Sequence, residues 1–150
     1  MTGDGDRDIR HLVHELGTQP RRASAEEVAR LRRHFGEYVL PRRVSSYVVR
    51  KHQTHVEDNG EWPRDVTAEE YLESLRQAVR DPQSELFLEY SEDEDDWTLY
   101  VLGRARRASY GPASSGWIVV IFNADRDLWV TGFQPERGRD YVDERDGFWL

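Results

Sequence analysis

The sequence predicts an α+β domain, with N-terminal helices packed on a four-stranded antiparallel β-meander. Three observations predict it. Two segments open on capping boxes and carry apolar residues at helical spacing. After Asp81-Pro82 the apolar period switches from helical to alternating. The last two apolar runs are separated only by a short polar turn, as in a hairpin. A chain of 150 residues suits one domain spanning 1–150. At this size roughly 68–70% of the unfolded surface is buried, so no disulfide or metal staple is needed.

Residues 1–8 are rich in Gly and Asp and are expected to fray. Ile9 to Leu16 can form a short helix stopped by Gly17. Ser24 stands three residues before Glu27, and this capping box opens a helix over Ala25–Leu40. Its apolar positions are Val28, Leu31, Phe35, Tyr38 and Val39, and Pro41 ends it. Residues 44–50 read equally as a strand or as the start of another helix. Asn59-Gly60 marks a turn and Trp62-Pro63 a bend. Thr67 with Glu70 forms a second capping box, opening Ala68–Arg80 with Tyr71, Leu72, Leu75 and Val79 on one stripe. This helical half covers 21–83.

Strands follow over 84–134. Leu86–Tyr90 is the first, and the acidic run 91–96 turns the chain. Trp97–Ala105 alternates, with Trp97, Leu99 and Val101 on one face and Thr98, Tyr100 and Leu102 on the other. After a Ser/Gly/Pro loop, Trp117–Phe122 is almost wholly apolar, as expected of a strand buried on both faces. Leu128–Gln134 is its hairpin partner. Residues 135–150 read as a polar tail until Phe148-Trp149-Leu150.

Composition excludes several classes. The five Trp, seven Tyr and five Phe argue against disorder. The absence of cysteine removes disulfides, thiolate zinc sites and Cys nucleophiles. No apolar run approaches a membrane span and the N-terminus has no signal-peptide core, so a cytoplasmic protein without membrane contact is expected. The net charge of −8 tells against indiscriminate binding of nucleic acid or anionic lipid. That charge is unevenly spread. Arg21 to Lys51 carries nine basic and three acidic residues, whereas Glu57 to Glu73 carries seven acidic residues against Arg64. Arg104, Arg106 and Arg107 form a second basic cluster. The two basic stretches either meet as a phosphate-binding face or are simply solvated.

The densest chemistry is Arg50-Lys51-His52 with His55. A histidine among cations disfavours its own protonated form, which suits a general base, and the cations suit a phosphorane. The alternative is two histidines in a polar loop. The pairs His11-x-x-His14 and His52-x-x-His55 lack an acidic third ligand at helical spacing, so no metal or other cofactor is expected. In Trp129-Val130-Thr131-Gly132-Phe133-Gln134, alternation would place Trp129, Thr131 and Phe133 on one face. There two aromatics would stack on bases while Thr131 binds a phosphate oxygen, or the aromatics fill the core. Gly132 allows close backbone approach on the opposite face. No nucleophile elbow, P-loop, dinucleotide fingerprint or zinc-protease motif occurs.

The order of these parts resembles the barnase/EndoU/colicin/RelE-like superfamily of metal-independent ribonucleases, common as toxin domains. The likeness covers roughly residues 44–135. It rests on Lys51-His52 ahead of the sheet and Thr131-Gly132-Phe133 on a late strand. The resemblance implies RNA cleavage, of tRNA or another RNA, by 2′-hydroxyl transesterification. It places His52, His55, Lys51 and Thr131 in catalysis and Arg50, Arg104, Arg106, Trp129 and Phe133 on substrate. A cognate inhibitor would then be a partner. A competing expectation comes from the acidic stretches. On that reading the chain is a non-catalytic immunity or antitoxin-type protein that covers a basic toxin partner.

Overall fold

A computed structural model describes residues 2–150, with side chains from Ile9 onward. Helix α1 is Thr2–Thr18, so the expected frayed start and short helix are one longer helix, with Met1 outside the described residues. Both capping boxes form. The Glu27 and Glu70 amides donate to the Ser24 and Thr67 hydroxyls at 3.1 Å each, and both carboxylates accept the cap amides in return. They start α2 (Ala25–Arg33) and α4 (Ala68–Arg80).

Helix α2 passes into a π-turn, His34–Val39, closed by the Leu40 amide donating to the Phe35 carbonyl. Of residues 44–50, open between two states in the sequence, 46–50 belong to a third helix. This is α3 (Ser46–His52), which also runs into a π-turn, Gln53–Asp58. The Ser45 side chain caps its start. Such one-turn widenings recur at functional sites.

The sheet has five strands rather than four. β1 (Glu85–Ser91), β2 (Asp96–Arg104), β3 (Trp117–Asn123) and β4 (Leu128–Phe133) make the expected antiparallel meander. β5 (Gly147–Trp149) then adds to the free edge of β1, giving the order β4-β3-β2-β1-β5. The short helix α5 (Asp140–Asp143) precedes it. The segment read as a polar tail is therefore structural, because its three terminal apolar residues supply a strand.

The sheet is buried on both faces. Leu88, Leu99, Val101, Val120 and Phe122 pack under Leu31, Phe35, Val48, Tyr71, Leu75 and Val79 of the helices. On the other face Phe87, Tyr100, Leu102, Val119 and Ile121 are covered by Val142, with Tyr141, Trp149, Trp117 and Phe133 around them. Burial of this kind contributes about 25 cal/mol per Å² of apolar surface, and it fixes the register of β2 and β3.

A β-bulge breaks β4. Phe122 lies opposite Trp129 but Ile121 lies opposite Thr131, so Val130 is the extra residue. One added residue reverses the alternation. Trp129 therefore joins the helix-side core, while Thr131 and Phe133 point to the other face. The expectation that all three share a face fails for this reason. Gly132 behaves as expected. A Cβ there would lie 2.5 Å from Leu75 Cδ1, and its carbonyl accepts the Tyr71 hydroxyl. Two histidines tie helices to the β3–β4 turn: His14 pairs with Asp125, and His34 Nε2 lies 3.0 Å from Asp127 Oδ1. No described helix is long and apolar enough to cross a membrane.

Candidate active site

His55 sits in the π-turn after α3, over the C-terminal end of β4. Its imidazole lies nearly parallel to two rings, Tyr71 with centroids 6.4 Å apart and Phe133 at 5.7 Å. Tyr71 is itself fixed through its hydroxyl to Gly132. Burial and the nearby Glu61 carboxylate hold the Tyr71 phenol well above its ordinary range, so it stays a neutral donor.

The histidine's partner is Glu61. The chain turns back at Asn59-Gly60, where Gly60 takes a positive φ of 67°, and the Glu61 amide closes onto the His55 carbonyl at 3.0 Å. The Glu61 side chain is 9% exposed and that of His55 12%. A buried carboxylate needs compensation, and Glu61 has three donors. Oε2 accepts His55 Nδ1 at 2.8 Å and Asn59 Nδ2 at 3.2 Å, and Oε1 accepts the Gln134 amide at 2.7 Å. The carboxylate fixes the tautomer by accepting from Nδ1, which leaves Nε2 as the acceptor of the neutral ring. Among the described residues Nε2 has no hydrogen-bond partner.

This pair lines an open cleft of about 1070 Å³. Its far wall is the segment after β4, with Arg137, Tyr141, Glu144 and Arg145. Arg145 is held between the Tyr141 and Tyr100 rings, 4.5 and 5.0 Å from their centroids, and lies 3.6 Å from Glu89. Its Nε is buried without a hydrogen-bond partner. Arg137 pairs with Glu144. Gln134 joins the walls: beyond its amide bond to Glu61, its side chain donates to the Ser109 carbonyl at 2.7 Å and accepts the Ser114 hydroxyl. A proton-accepting imidazole, an ordered carboxylate behind it and a fixed guanidinium across an open cleft are the parts of an acid–base site acting on an anionic or polarised substrate.

Of the residues singled out in the sequence, only His55 and Phe133 line this cleft. His52 faces elsewhere, its Nε2 2.6 Å from the Val66 carbonyl and its ring edge-on to Tyr71. Arg50 and Lys51 gather over the Tyr47 ring at 5.6 and 5.3 Å. Tyr47 in turn bonds the Val130 carbonyl and packs on Trp129. Thr131 Oγ1 and Trp129 Nε1 are buried without hydrogen-bond partners. Phe133 is enclosed by His55 and by Tyr141, whose ring stands perpendicular at 5.0 Å. Arg104 lies over Trp117, at the opposite end of β3 from Phe122 and Trp129. Arg106 lines a shallow groove along α4 with Glu70 and Glu73. The two basic stretches therefore do not form one face. Glu61 and Arg145 are not singled out in the sequence, and Tyr71 reads there only as part of the apolar stripe of α4. The signal that could have found Glu61 is its place directly after the Asn59-Gly60 turn, where the reversed chain runs back to His55.

Comparison of the chain with protein-family models, with curated proteins and with solved structures returns no match.

Proposed function

We propose that the chain is a metal-independent endoribonuclease of the toxin-domain kind, with His55 as its proton-transferring group. The observation that carries this reading is the buried His55–Glu61 pair opening on a cleft that also holds Arg145. His55 Nε2 takes the proton of a ribose 2′-hydroxyl while Nδ1–H stays on Glu61. The freed oxygen attacks the adjacent phosphorus, the bond to the 5′-oxygen breaks, and a 2′,3′-cyclic phosphate forms. The leaving 5′-oxygen takes a proton from water in the open cleft. Arg145 offers charge to the crowded phosphorane, and no metal enters the step.

The test is incubation of the purified protein with total RNA in EDTA. His55→Gln should cut the rate by at least about a hundredfold, and His52→Ala far less, since His52 buttresses the loop at Val66. Intact RNA with the native protein, or cleavage indifferent to His55→Gln, overturns the reading.

A second reading has its own observation. Asp58, Glu61, Glu136 and Glu144 line the cleft against two arginines, a balance suited to a basic partner protein. Recovery of a basic nuclease from the native host, with neutralisation of that nuclease by this chain, would favour an immunity role.

A further inference from the structure

The wall of the His55 cleft does not end at Arg137. Residues 135–137 line the cleft, and the next residue, Gly138, lies against Trp117. A Cβ at Gly138 would be 3.0 Å from the indole Cδ1, so the backbone itself presses on the ring. Over that ring lies Arg104, its guanidinium carbon 3.8 Å from the centroid. Arg104 is exposed at the end of β2. Two exposed arginines follow, Arg106 and Arg107, at the start of a loop that returns to the cleft. There the Gly111 and Ala113 amides donate to the Glu61 and Gly60 carbonyls, at 3.1 and 2.9 Å.

These three arginines differ from those in the cleft. Arg137 is neutralised by Glu144, and Arg145 lies 3.6 Å from Glu89. Arg104, Arg106 and Arg107 have no ion pair among the described residues. Stacking on indole covers one face of the Arg104 guanidinium and restrains its rotamers. The in-plane N–H groups stay outward, the geometry that binds a phosphate through two parallel hydrogen bonds. The three lie within four residues and put a local excess of unpaired cations at the end of β2, with Arg104 on Trp117 and Arg106 turned to the groove along α4 beside Glu70 and Glu73. A local excess of unpaired cations around a stacked guanidinium fits a polyanion better than a single small anion.

We propose that Arg104 on Trp117, continued by Arg106 and Arg107, is a second binding site that holds the phosphodiester backbone of single-stranded RNA flanking the nucleotide in the His55 cleft. The choice of RNA rests on the ribonuclease reading; the phosphate chemistry rests on the exposed, unpaired Arg104 guanidinium stacked on Trp117. The site makes the substrate an extended strand, not a mononucleotide or dinucleotide.

Binding can be measured apart from cleavage. Fluorescence anisotropy with a labelled 12-mer RNA carrying 2′-O-methyl groups, which cannot transesterify, reads the site directly. Arg104→Ala should weaken the 12-mer about tenfold and flatten the log–log salt slope by about 0.7. A matching 2′-O-methyl dinucleotide should change by less than twofold. Arg104→Lys, which keeps charge but not the flat fork, should fall between. An unaltered 12-mer affinity in Arg104→Ala, or no binding by the native protein, overturns the proposal. So does Arg104-dependent capture of a polyglutamate peptide in preference to the 12-mer, which would mark an acidic protein as the occupant. If the 12-mer binds through Arg104 but RNA is never cleaved, the binding site stands and the ribonuclease reading falls.

Discussion

At the scale of single residues, the site turns on Glu61. Its carboxylate satisfies three donors from three places: His55 on the π-turn, Asn59 in the reversal, and Gln134 after β4. Removing a buried acceptor leaves each donor to bear its own desolvation cost. Glu61→Ala should therefore destabilise the fold by roughly 3 kcal/mol, read as a shift in urea midpoint at constant slope. Glu61→Gln tests position apart from stability. The amide oxygen still accepts from Gln134, but the charge behind His55 is gone. The amide NH2 faces the His55 and Asn59 donors, so we expect a smaller loss of stability than in Glu61→Ala, and a fall of about ten- to a hundredfold in single-turnover cleavage per folded molecule, the size seen when a group orienting a functional side chain is lost. A native rate in Glu61→Gln would show that the pair is only a structural clamp. The sequence marked His55 because histidine is rare and chemically distinct. Glu61 was hidden because it is one of seven acidic residues between Glu57 and Glu73, and only the folded turn separates it from the rest.

At the scale of elements, the parts governed by local chemistry were legible in advance. Both capping boxes form as read, since their bonds lie within three residues. The apolar stripe of α4 is buried as its spacing implied. The β4 bulge was not legible, because it depends on how β4 registers against β3 rather than on residues of β4 alone. That single extra residue sends Trp129 to one core and Phe133 to the other, dividing the site drawn from alternation. The caps also support a test. Ser24→Ala should cost about 1 kcal/mol. The pH dependence lies with Glu27, whose carboxyl Arg21 and then the Ser24 amide hold at about 2, below its ordinary 4.5. A carboxyl depressed in the folded state stabilises above its unfolded value and loses that contribution as pH falls towards the folded one. Glu27→Gln keeps a capping residue but removes the charge. The native protein should therefore melt higher than Glu27→Gln at pH 7, with the gap narrowing below about pH 4.5 and closing near 2. A gap that stays constant across that range would show that Arg21 contributes nothing through Glu27.

At the scale of the whole molecule, the last residues hold two layers together. The sequence showed a polar stretch with three apolar residues at its end, and nothing local said what they would meet. In the fold, Phe148 packs with the helix-side core and Trp149 with the opposite one, as β5 pairs with β1. The Leu150 amide donates to the Leu86 carbonyl at 2.8 Å, and the Leu150 carbonyl accepts the Ala23 amide at 3.2 Å. The chain end thus joins the sheet to the segment entering α2. It also backs the cleft wall, because Arg139 is held between Trp149, 4.8 Å from its ring centroid, and Glu85. Deleting residues 147–150 removes a strand, exposes one edge of β1 and uncovers Phe87, whose ring packs on Trp149 at 5.1 Å. Loss of two half-buried aromatics and a leucine should cost at least about 3 kcal/mol, or roughly 10 °C in melting temperature for a chain this size. The damage should also reach the His55 cleft, since the segment carrying Arg137, Tyr141 and Arg145 is fixed at one end by Gln134 and at the other by β5. The truncated chain, assayed well below its own melting point, should therefore lose activity beyond its loss of folded fraction. Normal activity per folded molecule would show that the wall is held by Gln134 alone.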